Sequence, residues 1–241
     1  MIYHACEPRS ALWFYLRVGK PTASEFHRIL TAGGKISAQA SDYAHSILAE
    51  MMLGRPADED PRSQWMIRGQ ELEDGAIEAY EFESGLETSS GGFCTDDANT
   101  IGCSPDRLVG EDGVLEMKCP SPPVHVGYLL DRAGMAKAKH CQVQGQLLVT
   151  GRKWVDLVSF HPEMPLLIKR VTRDQPYIKQ LGESLAEFVK LLNALRLDLE
   201  RQYGPFPEIK MPEKPAPAED DGMGVDDTDV DAIWAASQEA K

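Results

Sequence analysis

"CSPDRLVGEDGVLEMKC", residues 103–119, holds a Pro105-Asp106 step, a Glu-Asp-Gly turn and a Glu116-Met117-Lys118 triplet. The apolar flanks of the turn read as two strands of a hairpin. Side chains alternate across a strand, so Leu115 and Met117 share one face while Glu116 and Lys118 share the other. The apolar pair is expected to bury against helices. Asp106, at the end of the preceding strand, can then reach the charged pair across the hairpin. Two carboxylates offer the hard oxygen donors that a magnesium ion accepts, with room left for water and phosphate oxygens. A lysine beside them can orient or help deprotonate an attacking water and stabilise charge on a pentacovalent phosphate. Metal-assisted hydrolysis is the chemistry these residues suit, because no paired Ser/His or Cys/His set supplies a covalent nucleophile. A solvated turn with a cross-strand Glu/Lys pair is the plain alternative.

Working outward, the hairpin sits between helical patterns. Residues 9–35 read as two short helices split at Gly19-Lys20-Pro21, with Thr22 and Glu25 in capping-box spacing. Residues 41–54 read as a helix closed by Gly54. Residues 64–85 read as a longer one whose stripe runs through Trp65, Leu72, Ala76 and Tyr80. The period then shifts to strands through residue 119, where Pro120, Pro122 and Pro123 stop the run. A helix over 135–151, two strands and a long amphipathic helix over 174–204 follow. Helices before, between and after strands predict an α/β domain spanning 1–204. From Pro205 the pattern dissolves into Pro, Glu, Asp and Gly, so 205–241 is expected to be an acidic, disordered tail. Ile233 and Trp234 within it could dock on a partner.

The charge follows the same division. The 241 residues carry a net charge of -13, and 211–241 alone hold nine acids against two lysines. The body is therefore mildly acidic, and a polyanion partner must meet a local basic patch. The five cysteines include no Cys-x-x-Cys pair, which argues against a zinc ribbon or iron–sulfur clip and fits reduced thiols. No apolar run approaches a membrane span, and "ALWFYL" is too short for a signal sequence. A cytoplasmic protein is expected.

Companions sharpen the hairpin. Glu73 borders the apolar stripe of its helix and could ligate a metal directly or through water. Gln142 and Gln144, on the helix after the hairpin, could hold water or phosphate near that metal. A solvated charge and a polar helix face explain the same residues more plainly.

Pro105-Asp106 followed by Glu116-x-Lys118 matches the PD-(D/E)xK nuclease signature. "LRVGKPTASEF", "GQELEDGAIEAYEFESG", "CSPDRL…LEMKCP" and "QVQGQLLVTG" resemble, in order and spacing, blocks of lambda-exonuclease-like (YqaJ-type) viral recombinases. The resemblance implies a PD-(D/E)xK, restriction-endonuclease-like core with a central mixed β-sheet flanked by helices. It implies a magnesium-dependent exonuclease, with two ions and manganese as a substitute, that digests the 5′-ended strand of linear duplex DNA for single-strand-annealing recombination. Asp106 and Glu116 would ligate metal, with the Met117 carbonyl and Glu73 as further ligands, Lys118 would assist the water, and Gln142 or Gln144 would be the active-site glutamine. Arg17, Thr22 and Ser24 fall where the family binds a terminal 5′-phosphate, in an N-terminal segment that grips DNA ends. That transfer has physical sense, since a helix N-terminus with small hydroxyls suits an anion and an arginine adds a bidentate grip. Trp13 could wedge against the DNA end or belong to the core, and Lys35 could supplement the phosphate pocket or stay solvated. The resemblance further implies a ring-shaped homotrimer, a single-strand annealing protein as partner and, for a phage or prophage gene, the bacterial host cytoplasm. An endonuclease of the same fold and a non-catalytic DNA-end-binding adaptor are the competing readings.

Overall fold

The computed structural model describes residues 1–57 and 72–212. Trp65, Ile233 and Trp234 lie outside the described residues. The chain runs β1 (Ile2–His4), α1 (Ala11–Arg17), a 3-10 helix (Ala23–Arg28), α2 (Ala40–Leu53) and α3 (Glu73–Ser84). Next come β2 (Thr88–Ser90), β3 (Phe93–Thr95), β4 (Gly102–Cys103), β5 (Arg107–Val109) and β6 (Gly113–Lys118). Then follow α4 (Pro122–Leu130), α5 (Arg132–Ala138), α6 (His140–Thr150), β7 (Trp154–Ser159), β8 (Leu167–Thr172) and α7 (Gln175–Tyr203).

Five strands form the central sheet in the order β2-β5-β6-β7-β8, and β1-β3-β4 make a smaller one. The central sheet is mixed: β6 pairs parallel with β7, and every other pairing is antiparallel. A parallel pair needs a crossover, and α4 to α6 supply it. The predicted hairpin is β5 and β6, with Arg107 opposite Leu115 and Val109 opposite Gly113.

Strand β6 is buried along nearly its whole length, because both faces are covered. Leu115 and Met117 pack with Ala76 and Tyr80 of α3, as the alternation predicts. Val114, on the opposite face, packs with Val143 and Leu147 of α6. Glu116 and Lys118 share that face, so α6 lies over the charged pair. Helix α7 covers a third cluster through Leu181, Leu185, Phe188 and Leu192, spaced three to four residues apart.

Several local expectations are corrected. The second N-terminal helix is a 3-10 helix of six residues, and Thr22 makes no side-chain cap bond. The single helix expected over 135–151 is two, separated at Lys139, where the backbone turns to φ -105 ψ 8. Helix α4 opens with Pro in its first turn, where a missing N–H is harmless, so the prolines that end β6 also begin a helix. Residues 205–212 adopt no regular structure, yet Phe206 and Met211 pack against buried clusters. Packed side chains thus occur beyond residue 204.

Candidate active site

A cavity of about 630 Å³ is walled by the hairpin, α6, α1, the 3-10 segment and the start of α3. Asp106, Glu116, Lys118, Glu73 and Gln142 line it, as do Trp13, Arg17, Thr22 and Ser24.

At its floor, Glu116 is 1 % exposed. A buried carboxylate needs donors, and three reach it. Lys118 Nζ pairs with Oε1, Gln142 Nε2 donates to Oε1 at 2.6 Å, and Gln146 Nε2 donates to Oε2 at 2.5 Å. Across the hairpin, the Met117 N–H donates to Asp106 Oδ2 at 2.5 Å. The Lys118 carbonyl accepts from Phe160 N–H on the β7 side. Backbone groups of successive strand residues face opposite edges, so the Met117 carbonyl lies on the Asp106 side.

The electrostatics are those of crowded carboxylates. Burial pushes the Asp106 carboxyl well above its usual range, and the neighbouring Glu116 pushes it further; Lys118 and the Met117 N–H pull the other way. Burial and then Asp74 raise Glu73, with Arg107 and Arg9 opposing. For Lys118, burial favours the neutral amine, but Glu116 and Asp106 outweigh it and hold the ammonium above its ordinary value. Hard oxygen donors crowded at a cavity wall, with Asp106 and Glu73 held above their usual range, are the donor set a divalent cation relieves. The residues present therefore fit a divalent cation at Asp106 and Glu116. Glu73 lines the same cavity without completing a tighter set: among the described residues no group of three His, Cys, Asp or Glu stands close enough to hold a metal.

The other wall is polar and aromatic. Arg17 stacks over Trp13 at 4.2 Å from the ring centroid and donates from Nη2 to Thr22 Oγ1 at 3.4 Å. Thr22 and Ser24 hydroxyls stand 3.3 Å apart. The Thr22 N–H donates to Tyr43 Oη at 3.1 Å, and Gly102 N–H donates to the Pro21 carbonyl at 3.0 Å. These bonds pin the segment between α2 and β4. Thr22 thus turns its hydroxyl to Arg17 and Ser24 instead of capping a helix.

Trp13 is half-buried: it packs against the Cys6, Leu12, Leu16 and Phe93 cluster and also lines the cavity, so both of its expected settings hold for different atoms. Its Nε1 donates to Ser104 Oγ at 2.9 Å, and Ser104 Oγ donates to the Gly92 carbonyl at 2.9 Å. Gly91 lets the backbone come this close, since a Cβ there would stand 1.8 Å from the Pro105 carbonyl oxygen. The Pro105-Asp106 step is therefore locked by a chain of contacts that ends on Trp13.

Two predicted residues fall elsewhere. Gln144 points away from the cavity: its Nε2 donates to the Thr172 carbonyl at 2.9 Å, and its Oε1 accepts from Asp174 N–H at 2.8 Å. Each residue of helix turns a side chain by about 100°, so Gln144, two residues on, faces about 200° away from Gln142. Lys35 is exposed in the turn after the 3-10 helix, beside α7, and is not part of the cavity wall. Gln146 was missed, although it lies four residues after Gln142 and hence on the same helix face.

A mixed sheet that presents Asp106, Glu116 and Lys118 from one hairpin to one cavity is the PD-(D/E)xK nuclease core. The model of the YqaJ-like viral recombinase domain matches residues 12–153, more than half of the chain, and the chain belongs to that family. Among solved structures it is similar to an alkaline exonuclease (LHK-Exo) from Laribacter hongkongensis. The two are 29% identical with a TM-score of 0.71, over 80% of this chain and 97% of that one. The same enzyme in complex with dAMP matches at TM-score 0.70 and 29% identity, with the same coverage. A phage-related exonuclease from Haemophilus somnus 129PT shares the fold at 18% identity and TM-score 0.61, over 75% of this chain and 96% of that one. No curated protein sequence matches the chain.

Proposed function

We propose that the protein is a magnesium-dependent exonuclease that digests the 5′-ended strand of linear double-stranded DNA. The observation that carries this reading is the cavity itself. One wall holds Asp106, Glu116 and Lys118, and the facing wall holds Arg17, Thr22 and Ser24. A phosphodiester and a terminal phosphate of one strand can thus be engaged together.

Asp106, Glu116 and the Met117 carbonyl would hold the metal, with Glu73 near enough to the same cavity to act through water. Bound there, magnesium would supply Lewis acidity and a more acidic water. Lys118, ion-paired with Glu116, orients the attacking water and places positive charge beside the phosphate as negative charge grows on it. Gln142 holds Glu116 in place and offers its carboxamide to the same space. At the other end, Arg17 and the Thr22 and Ser24 hydroxyls receive the 5′-phosphate, and the Trp13 ring holds the guanidinium on its face. The 3-10 segment is too short to act as an anion-binding helix terminus, so these side chains carry the role.

The Laribacter relative is known in complex with dAMP, a deoxynucleoside monophosphate. That is the class of product such cleavage would release. A ring-shaped homotrimer, an annealing-protein partner and a place in the bacterial cytoplasm belong to the same reading. No helix among the described residues is long and apolar enough to cross a membrane.

The deciding experiment is digestion of 5′-phosphorylated and 5′-hydroxyl linear duplexes, with and without magnesium, beside a closed circular duplex. Release of 5′-mononucleotides from the phosphorylated linear duplex, in magnesium alone and with the circle spared, is the expected result. Equal digestion of circle and line would replace the reading with an endonuclease. No digestion under any condition would leave a DNA-end-binding protein.

A further inference from the structure

Helix α6 lays two carboxamides, one turn apart, on the same carboxylate. Gln142 reaches Glu116 Oε1 at 2.6 Å, and Gln146 reaches Oε2 at 2.5 Å. They differ in setting. Both line the cavity, but Gln142 is half-buried whereas Gln146 is 1 % exposed. A side-chain amide can be turned either way, but here one orientation is forced. Turning the oxygen toward Glu116 would set an acceptor against a carboxylate, so Nε2 must face it. The consequence is that Gln146 Oε1 is buried with no hydrogen-bond partner among the described residues. An apolar side chain of the same length would fill the space without stranding an acceptor, so packing alone does not explain a glutamine here. What the amide supplies is a fixed donor to one oxygen of Glu116.

A carboxylate has about four acceptor positions, and Lys118, Gln142 and Gln146 occupy three of those on Glu116. The fourth faces whatever enters the cavity. Gln146 and Gln142 approach from a helix whose position is set by close contact with the 3-10 segment, where Gly145 meets Phe26 and Ala23. Two donors from one rigid helix fix both the tilt and the rotation of the carboxylate, which one donor cannot do. We propose that Gln146 is a positioning residue of the nuclease site, holding Glu116 at the angle at which its remaining lone pair meets a divalent cation. The proposal rests on the exonuclease reading above. Gln146 acts through Glu116, to which its Nε2 is bonded.

The test compares the wild type with Gln146→Met, which keeps length and removes the donor, and Gln146→Ser, which shortens the side chain and admits a water in its place. Three quantities are read for each: manganese affinity of the metal-free protein by calorimetry, kcat and KM on 5′-phosphorylated linear duplex, and the melting temperature. Loss of an oriented ligand partner commonly lowers metal affinity or activity by about 10- to 100-fold. For Gln146→Met we expect a loss of that size in manganese affinity and in kcat, with KM for DNA within about threefold of wild type, because the phosphate wall is untouched. Gln146→Ser, which lets water donate to Glu116, is expected to lose less of both. If either variant folds and keeps manganese affinity and kcat within twofold of wild type, the proposal is overturned, whatever the melting temperature does. If Gln146→Met is insoluble, Gln146→Ser alone decides by the same criterion. An inactive wild type that still binds manganese in a Gln146-dependent way would overturn the exonuclease reading and leave this one standing.

Discussion

Lys118 sits where two demands meet. It neutralises a glutamate that would otherwise be a buried charge without a cation, and it projects positive charge into the cavity. Removing it should separate catalysis from binding, because the Arg17 wall is untouched. Lys118→Ala is expected to lower turnover on linear duplex by at least about 100-fold, the scale of deleting one transition-state donor. Anisotropy titration of a 5′-phosphorylated end should show affinity within about threefold of wild type. Turnover equal to wild type would remove Lys118 from the mechanism. At this scale the sequence was largely legible. Asp106, Glu116 and Lys118 follow from strand alternation and one tight turn, both of which are local. Gln144 was misplaced and Gln146 missed for one reason: which face of α6 meets the sheet depends on packing against Phe26 and Ala23, more than a hundred residues earlier.

Among the elements, α6 joins the two halves of the site. One face brings Gln142 and Gln146 to Glu116, and the close approach at Gly145 brings the 3-10 segment and its Ser24 alongside. A Cβ at Gly145 would stand 2.6 Å from Phe26 Cδ2 and 3.2 Å from Ala23 Cβ, and Phe26 is fully buried. Gly145→Ala sets a helix-propensity gain of about 1 kcal/mol against an overpacking cost of about 1–3 kcal/mol. The expected result is a net loss of stability in urea denaturation, together with a weaker preference for 5′-phosphorylated over 5′-hydroxyl ends as the segment is pushed outward. A more stable variant with the full preference would show that α6 has room to move. Sequence periodicity found α2, α3 and α7 but joined α5 to α6. The break at Lys139 carries no Gly or Pro, so it is made by tertiary packing.

Over the whole molecule, packing continues past the last helix. Residues 205–212 lie back across the N-terminal helices, with Phe206 packed on the α7 cluster and Met211 beside Leu12 and Leu16. Ending the chain after residue 212 keeps Phe206 and Met211 and should leave the melting temperature within about 2 °C of the full chain. Ending it after residue 204 removes partly buried side chains worth about 2 kcal/mol and should lower the melting temperature by about 4–8 °C. Equal melting of both shortened chains in calorimetry would mean that the strap adds nothing to stability.

What the sequence determined by itself was the chemistry and the class of fold: a carboxylate–lysine hairpin, helices around a mixed sheet, and an arginine with two hydroxyls near the start of the chain. These depend on side-chain period, turn residues and motif order, all of which are local. The tertiary structure alone decided which glutamines reach Glu116, that Thr22 faces Arg17 instead of capping a helix, and that Trp13 lines the cavity. The glutamine and tryptophan contacts join segments far apart in the chain, the Thr22 segment is pinned by Tyr43 and Gly102, and the direction of each is set by how buried faces pack.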